Sequence, residues 1–82
     1  MSIRTLIVDD NIAARERLRA LVGATPGLIV AGECADGREA VDAIRTLDVD
    51  LIFLDVEMPR LDGFGVITEV GVTRMPTLIF TS

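Results

Sequence analysis

Residues 3–10 read Ile3-Arg4-Thr5-Leu6-Ile7-Val8-Asp9-Asp10, and this run decides the fold. Its apolar part is short, rich in β-formers and nearly continuous, as expected of a strand buried on both faces of a parallel sheet. Two carboxylates then end it abruptly. The same form returns downstream. Leu51-Ile52-Phe53-Leu54 is continuously apolar and stops at Asp55, and Thr77-Leu78-Ile79-Phe80-Thr81 is another such run. Leu28 to Ala35 makes a fourth strand candidate.

Between the strands lie helix-length segments. Asn11 is placed to cap a helix running to about Val22, with Ala14, Leu18, Leu21 and Val22 on one apolar face. Arg15, Arg17 and Arg19 read as its solvated face. Gly23 is expected to stop it, before a Thr25-Pro26-Gly27 turn. Asp36 with Glu39 forms a capping-box pattern. The helix it opens buries Ala40, Ala43, Ile44 and Leu47, and Asp48 to Asp50 is a polar turn. Residues 57–63 form a loop in which Pro59 drives Met58 out of helical geometry. Asp62 caps a short third helix from Phe64 to Val70, and Gly71 and Pro76 bracket a connection to the last strand. Phe53, Phe64 and Phe80 read as core. Strand and helix alternating in this way predict an α/β fold with a parallel sheet covered on both faces by right-handed crossovers.

Composition narrows the chemistry. The 82 residues, 50% apolar and 26% charged, describe one small globular domain. A chain this short buries only roughly two-thirds of its unfolded surface, so its core is marginal. With no histidine and a single cysteine, Cys34, there is no His-based triad, no His or Cys-rich metal site and no internal disulfide. Cys34 is most simply a small buried hydrophobe. All basic residues are arginines, which removes the lysine a phosphate-binding P-loop needs. A net charge of −5 without Trp or Tyr argues against direct contact with DNA. No apolar run approaches membrane-spanning length, and the first residues lack the layout of a signal peptide. The expected location is the cytoplasm.

The acids at the strand ends carry the functional reading. In open parallel sheets, ligands bind beyond the carboxyl ends of the strands. If the strands ending at Asp9-Asp10 and at Asp55 are neighbours, three carboxylates converge there, and like charges that close disfavour ionisation unless a cation joins them. Hard oxygen donors without His or Cys suit Mg²⁺, which commonly bridges carboxylates to phosphate. A carboxylate beside such an ion can attack phosphorus and form an aspartyl phosphate. Each piece alone has an ordinary explanation, since Asp-Asp after a strand is often just a capping turn. In combination with Met58-Pro59 and Asp62-Gly63 at fixed spacing, the functional reading is preferred.

The segments LIVDD, LIFLD followed by VEMPRLDG, and LIFTS, in this order and across all 82 residues, resemble the receiver domain of two-component response regulators. That resemblance implies a flavodoxin-like doubly wound sheet, here truncated after the fourth strand with order 2-1-3-4, its fifth strand and last two helices absent. It makes residues 1–82 a partial receiver with no second domain. It implies roles residue by residue. Asp55 matches the phosphoacceptor. Asp9 and Asp10 match the acidic pair that holds Mg²⁺, Asp10 directly and Asp9 through water. Glu57 matches the position whose backbone carbonyl completes the metal shell. Thr81 matches the hydroxyl residue that moves to the phosphoryl oxygen and begins the switch. The implied partner is a sensor histidine kinase, and DNA is reached only through an output domain outside this chain. ARERLRALV after the acidic pair, and GFGV, also resemble regulators with a LytTR-type DNA-binding output.

The chain departs from the family pattern in lacking the lysine that ends the fifth strand and that strand's aromatic switch residue. Two other readings stay open. A pseudo-receiver would be an interaction module that takes no phosphate. A hydrolase of the haloacid dehalogenase type also pairs a nucleophilic Asp with an acid two residues on, as in Asp55-Val56-Glu57, although its nucleophile normally ends the first strand. The preferred reading is a phosphoacceptor, not an enzyme. With the fourth strand left as an edge, the 82-residue chain is also expected to self-associate.

Overall fold

In the computed structural model, which describes residues 2–81, the apolar run Ile3–Val8 is an inner strand of the sheet. β1 (Ile3–Val8) pairs in parallel with β2 (Leu28–Cys34) on one side and with β3 (Leu51–Asp55) on the other. β4 (Thr77–Thr81) adds to the far side of β3, giving the order β2-β1-β3-β4. Ser82, the last residue of the LIFTS motif, lies outside the described residues. Between the strands run α1 (Ile12–Ala24), α2 (Gly37–Thr46) and α3 (Gly63–Val70), with a 3₁₀ turn at Val72–Arg74. The alternation read from the sequence and the doubly wound order are both present. Among the described residues, no helix is long and apolar enough to cross a membrane.

The period of two along a strand divides the core between the two faces of the sheet. Leu6, Val8, Ile52 and Leu54 point to one face, where α2 contributes Ala40 and Val41 and α3 contributes Val66 and Val70. Ile7 and Phe53 point to the other, where α1 contributes Val22 with Leu18 beside it. All of these except the half-buried Leu18 are buried. Each large aliphatic side chain so buried contributes about 1.5–3 kcal/mol.

The helices begin where the sequence placed their caps. Asn11 Oδ1 accepts from the Ala14 N–H, Asp36 Oδ1 from that of Glu39, and Asp62 Oδ1 from that of Gly65. The Glu39 carboxylate reaches back to the Ala35 N–H, one residue before the cap, and so completes a shifted form of the capping box. α3 ends at Gly71, whose φ of 95° is a left-handed conformation that suits glycine, and whose N–H bonds to the Ile67 carbonyl.

Several expectations are corrected. Gly23 does not stop α1. The helix runs on to Ala24 and ends at Thr25, which takes extended geometry because Pro26 follows it. Leu21, placed on the buried stripe of α1, is 53% exposed, and Leu47 at the end of α2 is 36% exposed. Phe64 and Phe80 are not core. They are 58% and 45% exposed and lean on each other with ring centroids 5.6 Å apart. Phe80 lies opposite Leu54 on the edge strand, and Phe64 opens α3 at the rim, so each lacks a covering layer among the described residues. β2, the other edge, likewise leaves Ile29 and Val30 partly exposed despite its apolar sequence.

Candidate functional site

Register places the acids. Val8 lies opposite Leu54, so the residues that follow, Asp9 and Asp55, leave the sheet side by side at the carboxyl ends of β1 and β3. Carboxylate oxygens of Asp9, Asp10 and Asp55 all lie within 4.8 Å of one another. Asp9 and Asp55 are buried, whereas Asp10 is exposed at the mouth.

Local hydrogen bonds hold this arrangement. The Asp9 N–H donates to the Cys34 carbonyl at the end of β2 (3.1 Å), and Asp9 Oδ1 accepts from the Asn11 N–H (2.9 Å). Asp55 Oδ1 accepts from the Glu57 N–H at 3.2 Å. The Glu57 side chain is exposed, so Glu57 meets Asp55 through its backbone. The half-buried Met58 packs on the core and anchors the loop after β3. Gly63 lets α3 start close behind the site: its N–H bonds to the Val56 carbonyl, and a Cβ there would lie 2.8 Å from the Asp55 carbonyl oxygen.

Thr81 lies opposite Asp55 on β4, and its Oγ1 is buried with no hydrogen-bond partner among the described residues. The carboxyl of Asp55 is raised above the ordinary aspartate range. Burial is the main cause; the Glu57 N–H opposes it, and the charges of Asp9 and Asp10 add to it. A cluster of hard oxygen donors, partly desolvated and mutually repelling, fits a small divalent cation such as Mg²⁺. Cys34 is buried, and burial pushes its thiol up to about 12, which makes it inert as a nucleophile.

One expectation at the site is corrected. Arg15 is not on a solvated face. Only 16% of its side chain is exposed, and its Nη1 donates to the Asp9 carbonyl at 2.7 Å. A usable signal existed. Side chains on a helix tilt toward its N-terminus, so a long residue one turn after the Asn11 cap reaches back over the strand–helix junction. Arg19 does lie outside, where it forms a two-point ion pair with Glu33 of β2. That bond holds the Glu33 carboxyl below its usual range.

A family model described as the response regulator receiver domain matches residues 5–82. The chain belongs to that family. Its curated relatives include a protein-glutamate methylesterase/protein-glutamine glutaminase of Alkalilimnicola ehrlichii, 40% identical over all of this chain and 21% of that protein. The transcriptional regulatory protein BtsR of Salmonella typhi is 38% identical over 95% of this chain and 33% of that protein. This receiver sequence therefore spans between a fifth and a third of the length of these two relatives. Among solved structures, the response regulator domain of Thermotoga maritima CheB superposes with a TM-score of 0.88 at 34% identity, over 98% of this chain and 60% of that one.

Proposed function

We propose that this receiver takes a phosphoryl group on Asp55 from a histidine kinase or a small acyl phosphate donor, with Mg²⁺ required. The observation that carries the reading is the convergence of Asp9, Asp10 and Asp55 at the ends of adjacent strands. In this reading a carboxylate oxygen of Asp55 attacks phosphorus. A P–O bond forms to Asp55, the bond from phosphorus to the donor breaks, and the donor leaves with that electron pair. A Mg²⁺ ion held there would offset the negative charge gathered by the carboxylates and the phosphoryl oxygens. Asp10 would hold it directly, Asp9 through water, and Glu57 through its backbone carbonyl. The Glu57 N–H fixes the orientation of the attacking carboxylate. In this reading the Thr81 hydroxyl, which has no partner among the described residues, would turn toward the new phosphoryl oxygen and begin a switch.

The output belongs to a longer protein. Relatives of similar identity bear names of both a transcriptional regulator and a methylesterase. We assign the transcriptional reading on the ARERLRALV and GFGV segments, with DNA bound by a LytTR-type domain outside this chain. The chain itself acts as a phosphoacceptor and not as a turnover catalyst, in the cytoplasm where a kinase can reach it. The pseudo-receiver reading would require this site to remain unphosphorylated. Incubation with an acyl phosphate and Mg²⁺ tests the proposal: base-labile phosphate is expected on the wild type and on Asp62→Asn, and none on Asp55→Asn. Equal labelling of wild type and Asp55→Asn would overturn the assignment. No labelling of any form, even with protein made from the full gene, would favour the pseudo-receiver.

A further inference from the structure

The geometry points to Arg15 as a positioning residue for the acidic site, an inference that rests on the Mg²⁺ reading above. The carbonyl that Arg15 grips belongs to the peptide bond joining Asp9 to Asp10. Its Nη1 lies 2.7 Å from that oxygen, and its side chain is mostly buried. The Asp9 N–H is tied to Cys34, and Asp9 Oδ1 to Asn11. The bonds to its N–H and its carbonyl hold the Asp9 backbone on both sides, and the Asn11 N–H holds its side chain. Asp10 is exposed, and the orientation of the preceding peptide sets the direction in which its side chain leaves the backbone. Arg15 is itself anchored. Its Nε lies 3.8 Å from Glu33 Oε1, and Arg19 clamps the same carboxylate at 2.6 and 2.9 Å. The edge strand β2, through Glu33, thus sets the position of an acid at the end of the central strand.

Charge and geometry make opposite predictions here. A guanidinium beside a cation site repels the cation, so if charge alone mattered, removing it would tighten Mg²⁺ binding. If Arg15 positions Asp10, removing it weakens binding although a positive charge is lost. Groups that orient metal ligands from behind typically alter affinity by about ten- to a hundredfold.

The test uses the 82-residue chain and two readouts. Calorimetric titration with Mg²⁺ is expected to show Arg15→Met binding roughly tenfold more weakly than wild type, with Arg15→Lys recovering part of the loss. Amide hydrogen exchange without metal is expected to be faster at Asp9 and Asn11 in Arg15→Met and unchanged in β3. Glu33→Gln leaves the Arg15 charge in place but loosens its anchor, and is expected to shift both readouts the same way, less strongly. It serves as the deciding variant if Arg15→Met fails to fold. Tighter Mg²⁺ binding in Arg15→Met with unchanged exchange would overturn the inference. Should wild type bind no Mg²⁺, the metal reading fails separately, and exchange alone decides: faster exchange at Asp9 and Asn11 supports positioning, while unchanged exchange refutes it.

Discussion

Asp55 and Thr81 are register partners on β3 and β4, and they differ sharply in satisfaction: Asp55 accepts from the Glu57 N–H, whereas the buried Thr81 hydroxyl has no partner among the described residues. A buried hydroxyl without a hydrogen bond reduces stability.

Replacing Thr81 by the isosteric valine removes that unpaired group. Thr81→Val is expected to raise unfolding stability by about 1 kcal/mol, measured by urea denaturation, while abolishing any response to phosphorylation. A loss of stability would show that the hydroxyl is bonded in solution.

The raised pKa of Asp55 gives a pH prediction with a definite sign. The folded chain holds this proton more tightly than the unfolded chain does. Stability from the group is therefore complete below the unfolded value, near pH 4, and is lost as pH rises through the folded value. Asp55→Asn is expected to be more stable than wild type at pH 7, by a few degrees in Tm, and the gap closes on acidification. Millimolar Mg²⁺ is expected to raise the wild-type Tm at pH 7 and to do so much less in Asp55→Asn. Parallel melting curves at pH 4 and pH 7, with and without Mg²⁺, check both statements.

Gly37 opens α2 where the loop after β3 passes closest. A Cβ at this position would collide with the Leu61 backbone carbonyl, and backbone yields less readily than a side chain tip. Gly37→Ala is expected to destabilise the fold by at least about 2 kcal/mol. Gly23→Ala is the control: a Cβ there meets nothing within 4 Å, and alanine favours a helix interior, so a small gain is expected. Thermal melts of the two variants compare them directly.

β4 pairs only with β3 among the described residues, and its Ile79 and Phe80 are 46% and 45% exposed. The strand carries no charge or proline to discourage pairing with a second chain. The 82-residue chain is expected to sediment as a dimer or larger species at micromolar concentration, and Ile79→Lys to shift it toward monomer. A wild type that remains monomeric would contradict this.

The legible parts of the molecule were those set by short-range physics. Asn11, Asp36 and Asp62 cap helices because their side chains bond amides three residues on, which the sequence displays directly. The convergence of Asp9 with Asp55 needed only the additional premise that β1 and β3 are neighbours. What escaped was decided by partners far along the chain. Phe64 and Phe80 are apolar enough for a core, but burial depends on what lies over them. The need for glycine at position 37 is set by Leu61, in the loop beyond β3. Helical spacing groups Arg15 with Arg17 and Arg19, because it does not reveal which long side chain folds back toward the strand.

The parallel pairing of β1 with β3 also governs when the acids meet. Asp9 and Asp55 come together only after the long crossover containing α1, β2 and α2 has closed, so their repulsion is absent from the early, locally structured chain. Interactions absent from the transition state act on the rate of opening rather than on the rate of closing. If the cluster assembles after that barrier, a cation bound there prolongs the lifetime of the native sheet and leaves the speed of folding nearly untouched.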